Sequence, residues 1–293
     1  MLKRIILFTF LSLLASPSWS ISVLVPFQGE IKSRNETQFQ EIKHASRVAS
    51  AEALDLARLF YHKNTSLNID RKAWSLLVYT QILLDNDKVQ SAKELLEDSL
   101  LLNWSQVTSW VIAYRNLNLG LVCTYEGNYS EAKSHFEKAG LLSEISEIPS
   151  LHLLLTESLA ENSMYSGRFD ESLNKWHEAL QLAESSADSF SIADAQVGMG
   201  AVRYMLGETD LAEENVNRAY YFYVKKGAKK KIAYSLSLKG LLALQRGNFQ
   251  NSLEESLEAY ILRKELFDLK GQAESLNNLA LVFMEMENWS QAL

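Results

Sequence analysis

The side chains able to act as nucleophiles, bases or metal ligands are few and scattered. The histidines are His44, His62, His135, His152 and His177, and the single cysteine is Cys123. No two histidines stand at the i, i+4 spacing that puts a ligand pair on one helix face, and no second cysteine completes a thiolate pair. On spacing alone the histidines read as surface residues, and neither a metal nor any cofactor is expected. Cys123 falls within an apolar helical stretch, the setting of an inert buried thiol rather than an activated one. The chain has no Gly-rich phosphate loop, no Gly-x-Ser-x-Gly turn and no carboxylate pair with an evident catalytic task. No catalysis is expected within these residues. The one charge run, Lys225-Lys226-Gly227-Ala228-Lys229-Lys230-Lys231, reads as a connection between helices. Two lysines complement the negative end of a helix, a glycine caps it, and the remaining charge is solvated.

Charge narrows the partners. The chain carries 29 basic and 36 acidic residues, a net charge of −7, and loses Lys3 and Arg4 if its leader is removed, leaving −9 (27 minus 36). Binding nucleic acid requires a basic face that neutralises phosphates, so nucleic acid is not an expected partner. At 47% hydrophobic and 22% charged the composition is that of a folded chain, and only 3 Pro and 12 Gly in 293 residues favour helix throughout. A lone cysteine cannot close an internal disulfide in any compartment.

The N-terminus carries an address. Met1-Leu2-Lys3-Arg4 is a charged start, Ile5 to Ala15 an apolar run, and Pro17 a break, with Ser18 and Ser20 at −3 and −1 of a cleavage point. This pattern reads as a secretory signal peptide over residues 1–20, giving a periplasmic or secreted protein. The alternative is an uncleaved N-terminal anchor, because Ile5 to Phe27 holds no charge and approaches the ~20 residues of a spanning helix. No cysteine follows the apolar run, so lipid attachment there is not expected. Membrane contact is expected only through an uncleaved leader or a segment beyond Leu293.

Behind these residues stands a repeated turn. Gly127-Asn128-Tyr129-Ser130-Glu131-Ala132 returns as Gly167-Arg168-Phe169-Asp170-Glu171-Ser172, then at Gly207 and at Gly247, a constant step of 40. Asp87 keeps the phase one step earlier and Glu287 one step later. Seven residues before the leading position stand Thr80, Gly120, Ala160, Gly200, Gly240 and Ala280, all small. Five after it stand Ala92, Ala132, Ser172, Ala212, Ser252 and Ala292, and twelve after it Ser99, Ala139, Ala179, Ala219 and Ala259. Leu96, Phe136, Trp176 and Val216 fill the position nine after it, with Ser256 the exception. A fixed period of this length means a stacked array in which each unit is one helix pair. Each unit is predicted to be a helix A, a tight turn ended by the left-handed glycine, and a helix B.

Small residues at −7, +5 and +12, glycine at 0, an aromatic at +2 and a large apolar residue at +9 resemble the tetratricopeptide repeat. The period here exceeds the family's usual length of about 34 residues, and the proline that closes its unit is missing. Gln272-Ala273-Glu274-Ser275-Leu276-Asn277-Asn278-Leu279-Ala280 is similar to the longer, 40-residue variety of bacterial signalling proteins. The resemblance implies an all-α, right-handed solenoid of antiparallel helix pairs, with five full repeats and a truncated sixth. The domain reading is residues 1–20 signal peptide, 21–66 lead-in with one cap helix over Glu36–His62, and 67–293 repeat array.

The resemblance also implies function. Such arrays bind proteins or peptides, and exported ones serve as the sensor or interaction part of bacterial signalling proteins. A free-standing periplasmic scaffold is one alternative; the repeat region of an enzyme whose catalytic domain lies beyond Leu293 is another. In the family, helix A lines the binding groove. Transferred to this chain, its groove positions include Tyr114, Asn118, Tyr125, Glu157, Glu161, Asp194, Tyr204, Tyr234 and Asn277. None of the positions so transferred is Lys or Arg, while Asp85, Glu157, Glu161, Asp194, Glu274 and Glu285 are acidic. The expected partner is therefore a neutral-to-basic, partly apolar protein or peptide segment.

Overall fold

The computed structural model describes residues 34–48, 50–64, 69–98, 103–146 and 149–286. The leader read over residues 1–20, most of the lead-in, and the last helix B around Trp289 lie outside the described residues. Within them every regular element is helical, with no strand among the described residues. The helices are α1 (Arg34–Val48), α2 (Ser50–Asn64), α3 (Ile69–Asp85), α4 (Val89–Asp98), α5 (Ser109–Tyr125), α6 (Tyr129–Ser146) and α7 (Pro149–Tyr165). They continue with α8 (Phe169–Ser185), α9 (Ser189–Leu206), α10 (Thr209–Lys226), α11 (Lys229–Gln245), α12 (Phe249–Glu265) and α13 (Leu269–Glu285). A single 3₁₀ turn, Trp104–Gln106, precedes α5. No described helix is long and apolar enough to cross a membrane.

The chain divides into two compact units between Ser191 and Ile192. In the first, α3 pairs with α4, α5 with α6 and α7 with α8, and each helix A also touches the next, α3 on α5 and α5 on α7. In the second, α11 pairs with α12, α10 packs on α11, and α11 touches α13. This is the helix-pair repeat read from the sequence. The N-terminal region differs from the reading. Where periodicity predicts one helix over Glu36–His62, two helices flank Ala49 and pack on each other. No Pro or Gly marks the break, so an apolar stripe runs through it unbroken in the sequence. Helix α2 then covers α3 with aromatics: the Phe60 ring meets Trp74 edge-on at 5.3 Å, and Tyr61 stacks on Tyr79 at 5.9 Å.

The turns explain the period. Gly127, Gly167, Gly207 and Gly247 have φ of +78°, +76°, +79° and +74°. The residue after each donates its N–H to a carbonyl five residues back, Asn128 to Cys123 at 2.8 Å and Arg168 to Ser163 at 2.8 Å. That closes the open carbonyls of helix A. The same left-handed geometry recurs at Ala187, Gly227 and Phe267, which end the B helices 20 residues later. In these three units the 40 residues are thus two half-units of one helix and one turn, whereas in the first unit the matching residue, Val107, is extended after the 3₁₀ turn. Gly227 caps α10 behind Lys225 and Lys226, as the charge run suggests. Lys231, however, is not solvated; it turns inward to Asp194.

Side chains at fixed phase hold each pair together. A Cβ placed on Gly120 would lie 2.5 Å from the Phe136 ring, on Gly200 2.6 Å from Val216, and on Gly240 2.7 Å from the Ser256 hydroxyl. The small residue at −7 therefore receives the filler at +9, and Ser256 is where the filler itself is small. Ser172 and Ser252 at +5 donate hydrogen bonds to the carbonyls of Ala160 and Gly240, each at 2.7 Å.

Candidate functional site

The nine transferred groove residues divide between the two units. In the first, Tyr114, Asn118, Glu157 and Glu161 are buried and Tyr125 is half-buried. Asn118 donates from Nδ2 to the Leu77 carbonyl at 2.8 Å, and the Tyr125 hydroxyl donates to the Leu84 carbonyl at 2.8 Å. Both act as struts between the consecutive helices A, α5 and α3. Tyr114 sits wholly inside the same contact. Burial raises its phenol far above the ordinary range, and the nearby Asp85 charge adds to the shift. Glu157 and Glu161 stand one turn apart on α7, and each is only 2% exposed.

In the second unit Asp194 is fully buried and accepts hydrogen bonds from the Tyr223 hydroxyl and Lys231 Nζ. This cluster ties α9, α10 and α11. Tyr234 is buried on α11, while Tyr204 and Asn277 are half-buried on α9 and α13. Burial raises the Tyr204 phenol. A second internal cation lies close by in sequence: Arg263 reaches the Gly271 carbonyl at 2.9 Å, the Ser275 hydroxyl at 2.8 Å and Glu274 at 3.1 Å, joining α12 to α13.

The helix-A face is covered because a helix A has neighbours on several sides. Helix α5 packs against α3, α4, α6 and α7, so it is apolar nearly all round. A list of positions shows which residues share a face, but not how much of that face the adjoining helix takes.

A different cluster lies within the second repeat, where sequence spacing showed no ligand group. Cys123 on α5 and Glu131 and His135 on α6 bring one ligand atom each within 4.8 Å of one another. Cys123 is 8% exposed, and burial pushes its thiol up to about 11, with Glu131 and Glu126 adding to the rise. Burial lowers the imidazole of His135, and Lys138 and Arg115 reinforce this against Glu131. His135 Nδ1 lies 3.2 Å from Asn116 Oδ1. An adjoining cavity of about 350 Å³ is lined by residues that include Lys93, Glu97, Arg115 and Glu126. A search for paired histidines could not find this group. Its only signal is the i, i+4 pair Glu131 and His135, with Cys123 eight residues earlier across the glycine turn.

No protein-family model and no curated protein matches the chain. Solved structures do. The Rap protein complexed with competence and sporulation factor superposes with a TM-score of 0.72 at 13% identity, covering 88% of this chain and 73% of that one. The quorum sensor NprR, described from B. thuringiensis in its apo form, matches in complex with its cognate peptide NprX at a TM-score of 0.66 and 16% identity, covering 90% of this chain and 75% of NprR. A signal-transduction ATPase with a tetratricopeptide repeat sensor, from Pyrococcus horikoshii, matches at 0.56 and 12% identity over 90% of this chain and 41% of that one. At such identities the likeness is one of fold. Together with the 40-residue helix-pair phase, it shows that this chain carries the tetratricopeptide-type helical repeat fold.

Proposed function

We propose that the chain is a peptide- or protein-binding repeat module whose helix-A face takes a neutral-to-basic, partly apolar segment. The observation that carries this is the sign of that face in the first unit. Asp85, Glu157 and Glu161 stand there, each 2% exposed, and no Lys or Arg occupies a transferred groove position. An acidic face favours a basic side chain and opposes an acidic one. The fold is shared with NprR, solved with its cognate peptide, which supports the ligand class. Because these carboxylates are covered in the free chain, engagement includes opening of the helix-A face, and association slower than rigid docking is expected.

A peptide array followed by titration of the best sequence tests the reading. Lys/Arg-containing peptides should be retained, and their binding should weaken with salt. Glu157→Gln with Glu161→Gln, which keeps side-chain size, should weaken binding at least about tenfold while circular dichroism is unchanged. Selection of acidic C-terminal tails, or binding indifferent to the double substitution, would reject the assignment.

The proposal includes an address and a context. The sequence of residues 1–20 supports export by a cleaved signal peptide, and an exported binding module fits the sensor or interaction part of a signalling protein. Mass analysis of the protein recovered from expressing cells should find a chain beginning at Ile21. Recovery of the intact N-terminus in the membrane fraction would favour the anchored alternative.

A further inference from the structure

Helices α5 and α6 form a hairpin around Gly127. Cys123 stands four residues before that glycine, and Glu131 and His135 four and eight after it. Glu131 and His135, one turn apart, share a face of α6, and that face meets Cys123 on α5. The fold itself makes this contact. In the fourth repeat the positions matching Cys123 and His135 are Arg203 and Asn215, and they are hydrogen-bonded to each other. The position matching Asn116 is Gln196, and it bonds to Asn215 as Asn116 does to His135. Only in the second repeat do the three positions hold a thiol, a carboxylate and an imidazole. The matching sets elsewhere are Leu83, Ser91 and Leu95; Ser163, Glu171 and Lys175; Arg203, Leu211 and Asn215; and Ala243, Asn251 and Glu255.

From this geometry we infer that Cys123, Glu131 and His135 form a three-residue site for a zinc-class divalent transition metal, with its fourth position open to the adjoining cavity. Sulfur, imidazole nitrogen and carboxylate oxygen are the donors such an ion takes. In a tetrahedral set ligand atoms stand about 3.5 Å apart, so a spread within 4.8 Å closes by side-chain rotation alone. Glu131 is exposed and free to make that rotation. In the tautomer protonated at Nδ1, His135 donates to the Asn116 amide oxygen 3.2 Å away, which fixes the ring and leaves the Nε2 lone pair for a metal. The two cations that line the cavity have partners of their own: Lys93 pairs with Glu126, and Arg115 stands over the Trp104 ring at 4.8 Å. The cavity of about 350 Å³ has room for a water or a small ligand on the fourth position. A metal held here would staple helix A to helix B of one repeat.

The test uses the full chain, freed of metal by chelation and kept reduced, and titrated with Co²⁺. One equivalent should bind with a thiolate-to-cobalt charge-transfer band, Zn²⁺ should displace it, and melting temperature should rise with Zn²⁺ concentration. Cys123→Ser should abolish the band, and Glu131→Gln, at an exposed position that leaves folding intact, should weaken Zn²⁺ binding. Asn116→Ala, acting through His135, should weaken it about 10–100-fold. The inference is overturned if the folded protein shows no charge-transfer band, or if Co²⁺ binds equally well to Cys123→Ser and Glu131→Gln.

Discussion

Gly120 leaves no room for a methyl group. Its added Cβ would sit 2.5 Å from the Phe136 ring, whereas a Cβ on Gly207 would meet nothing within 4 Å and would only strain a backbone at φ +79°. The two glycines therefore separate packing from conformation. Gly120→Ala should destabilise by about 1–3 kcal/mol through overpacking, and Phe136→Leu added to it should recover part of the loss. Gly207→Ala should cost about 1–2 kcal/mol from the left-handed turn, with no partner substitution that rescues it. Urea unfolding of the four variants measures this, and rescue of Gly207→Ala by Val216→Ala would show that the two costs are the same. The buried Asp194–Lys231 pair makes a third case. Asp194→Asn keeps an acceptor for Tyr223 but leaves the ammonium without its charge partner, at roughly 3–5 kcal/mol. Adding Lys231→Met should restore much of that loss; a double variant no more stable than Asp194→Asn would mean the pair is not what the site depends on.

At the scale of the helix, the chain announces some ends and hides others. Glycines at step 40 made the ends of four helices A legible, because glycine takes a left-handed turn cheaply; the first ends instead at Asp87, φ +57°. Ala187 and Phe267 take the same turn at φ +52° and +56° without that signal, so of these B-helix ends only the one at Gly227 could be read, and the 20-residue half-period could not. Ala187→Gly should relieve the strain and stabilise by about 0.5–1 kcal/mol, the gain reduced by the extra freedom glycine has when unfolded. A lowered melting temperature would show that the Ala187 side chain contributes more than its backbone costs. The small-to-large pairing of −7 with +9 was legible as phase, but its meaning became visible only when Gly240 was seen to receive Ser256. The division of the Glu36–His62 stretch between two helices carried no sequence signal. Lys133 joins neighbouring B helices through Glu171 at 3.0 Å. That hydrogen bond, with a second from Arg168, holds the Glu171 carboxyl below its usual range. A depressed carboxylate stabilises above its unfolded pKa and loses this as pH falls through the folded value, so Glu171→Gln should flatten the acid limb of stability. The candidate site was legible only in part. Positions gave the acidic sign of the helix-A face, but not its burial, which neighbouring helices decide, nor the meeting of Cys123 with His135 across a turn.

For the molecule as a whole, the repeat makes stability largely a sum of local terms, since the larger helix–helix contacts join near neighbours; the Arg47–Asp188 ion pair at 2.6 Å, between α1 and the start of α9, is an exception. The described chain also divides into two compact units between Ser191 and Ile192. A lesion should then be felt where it is made. Gly120 lies in the first unit, and Gly240, whose Cβ would meet Ser256 at 2.7 Å, lies in the second. Hydrogen exchange followed by mass spectrometry distinguishes local from global opening, because each amide reports the cheapest opening that frees it. Gly120→Ala should speed exchange in α5 and α6, and to a lesser degree in α3 and α7, while α11 and α12 keep their protection. Gly240→Ala should do the reverse, opening α11 and α12 and sparing α5 and α6. The helices that bear Glu157, Glu161 and the Cys123 cluster all belong to the first unit, so peptide and Zn²⁺ should slow exchange there. If either glycine variant instead speeds exchange equally through both sets of helices, the chain unfolds as a single cooperative body and the nearest-neighbour account of its stability fails.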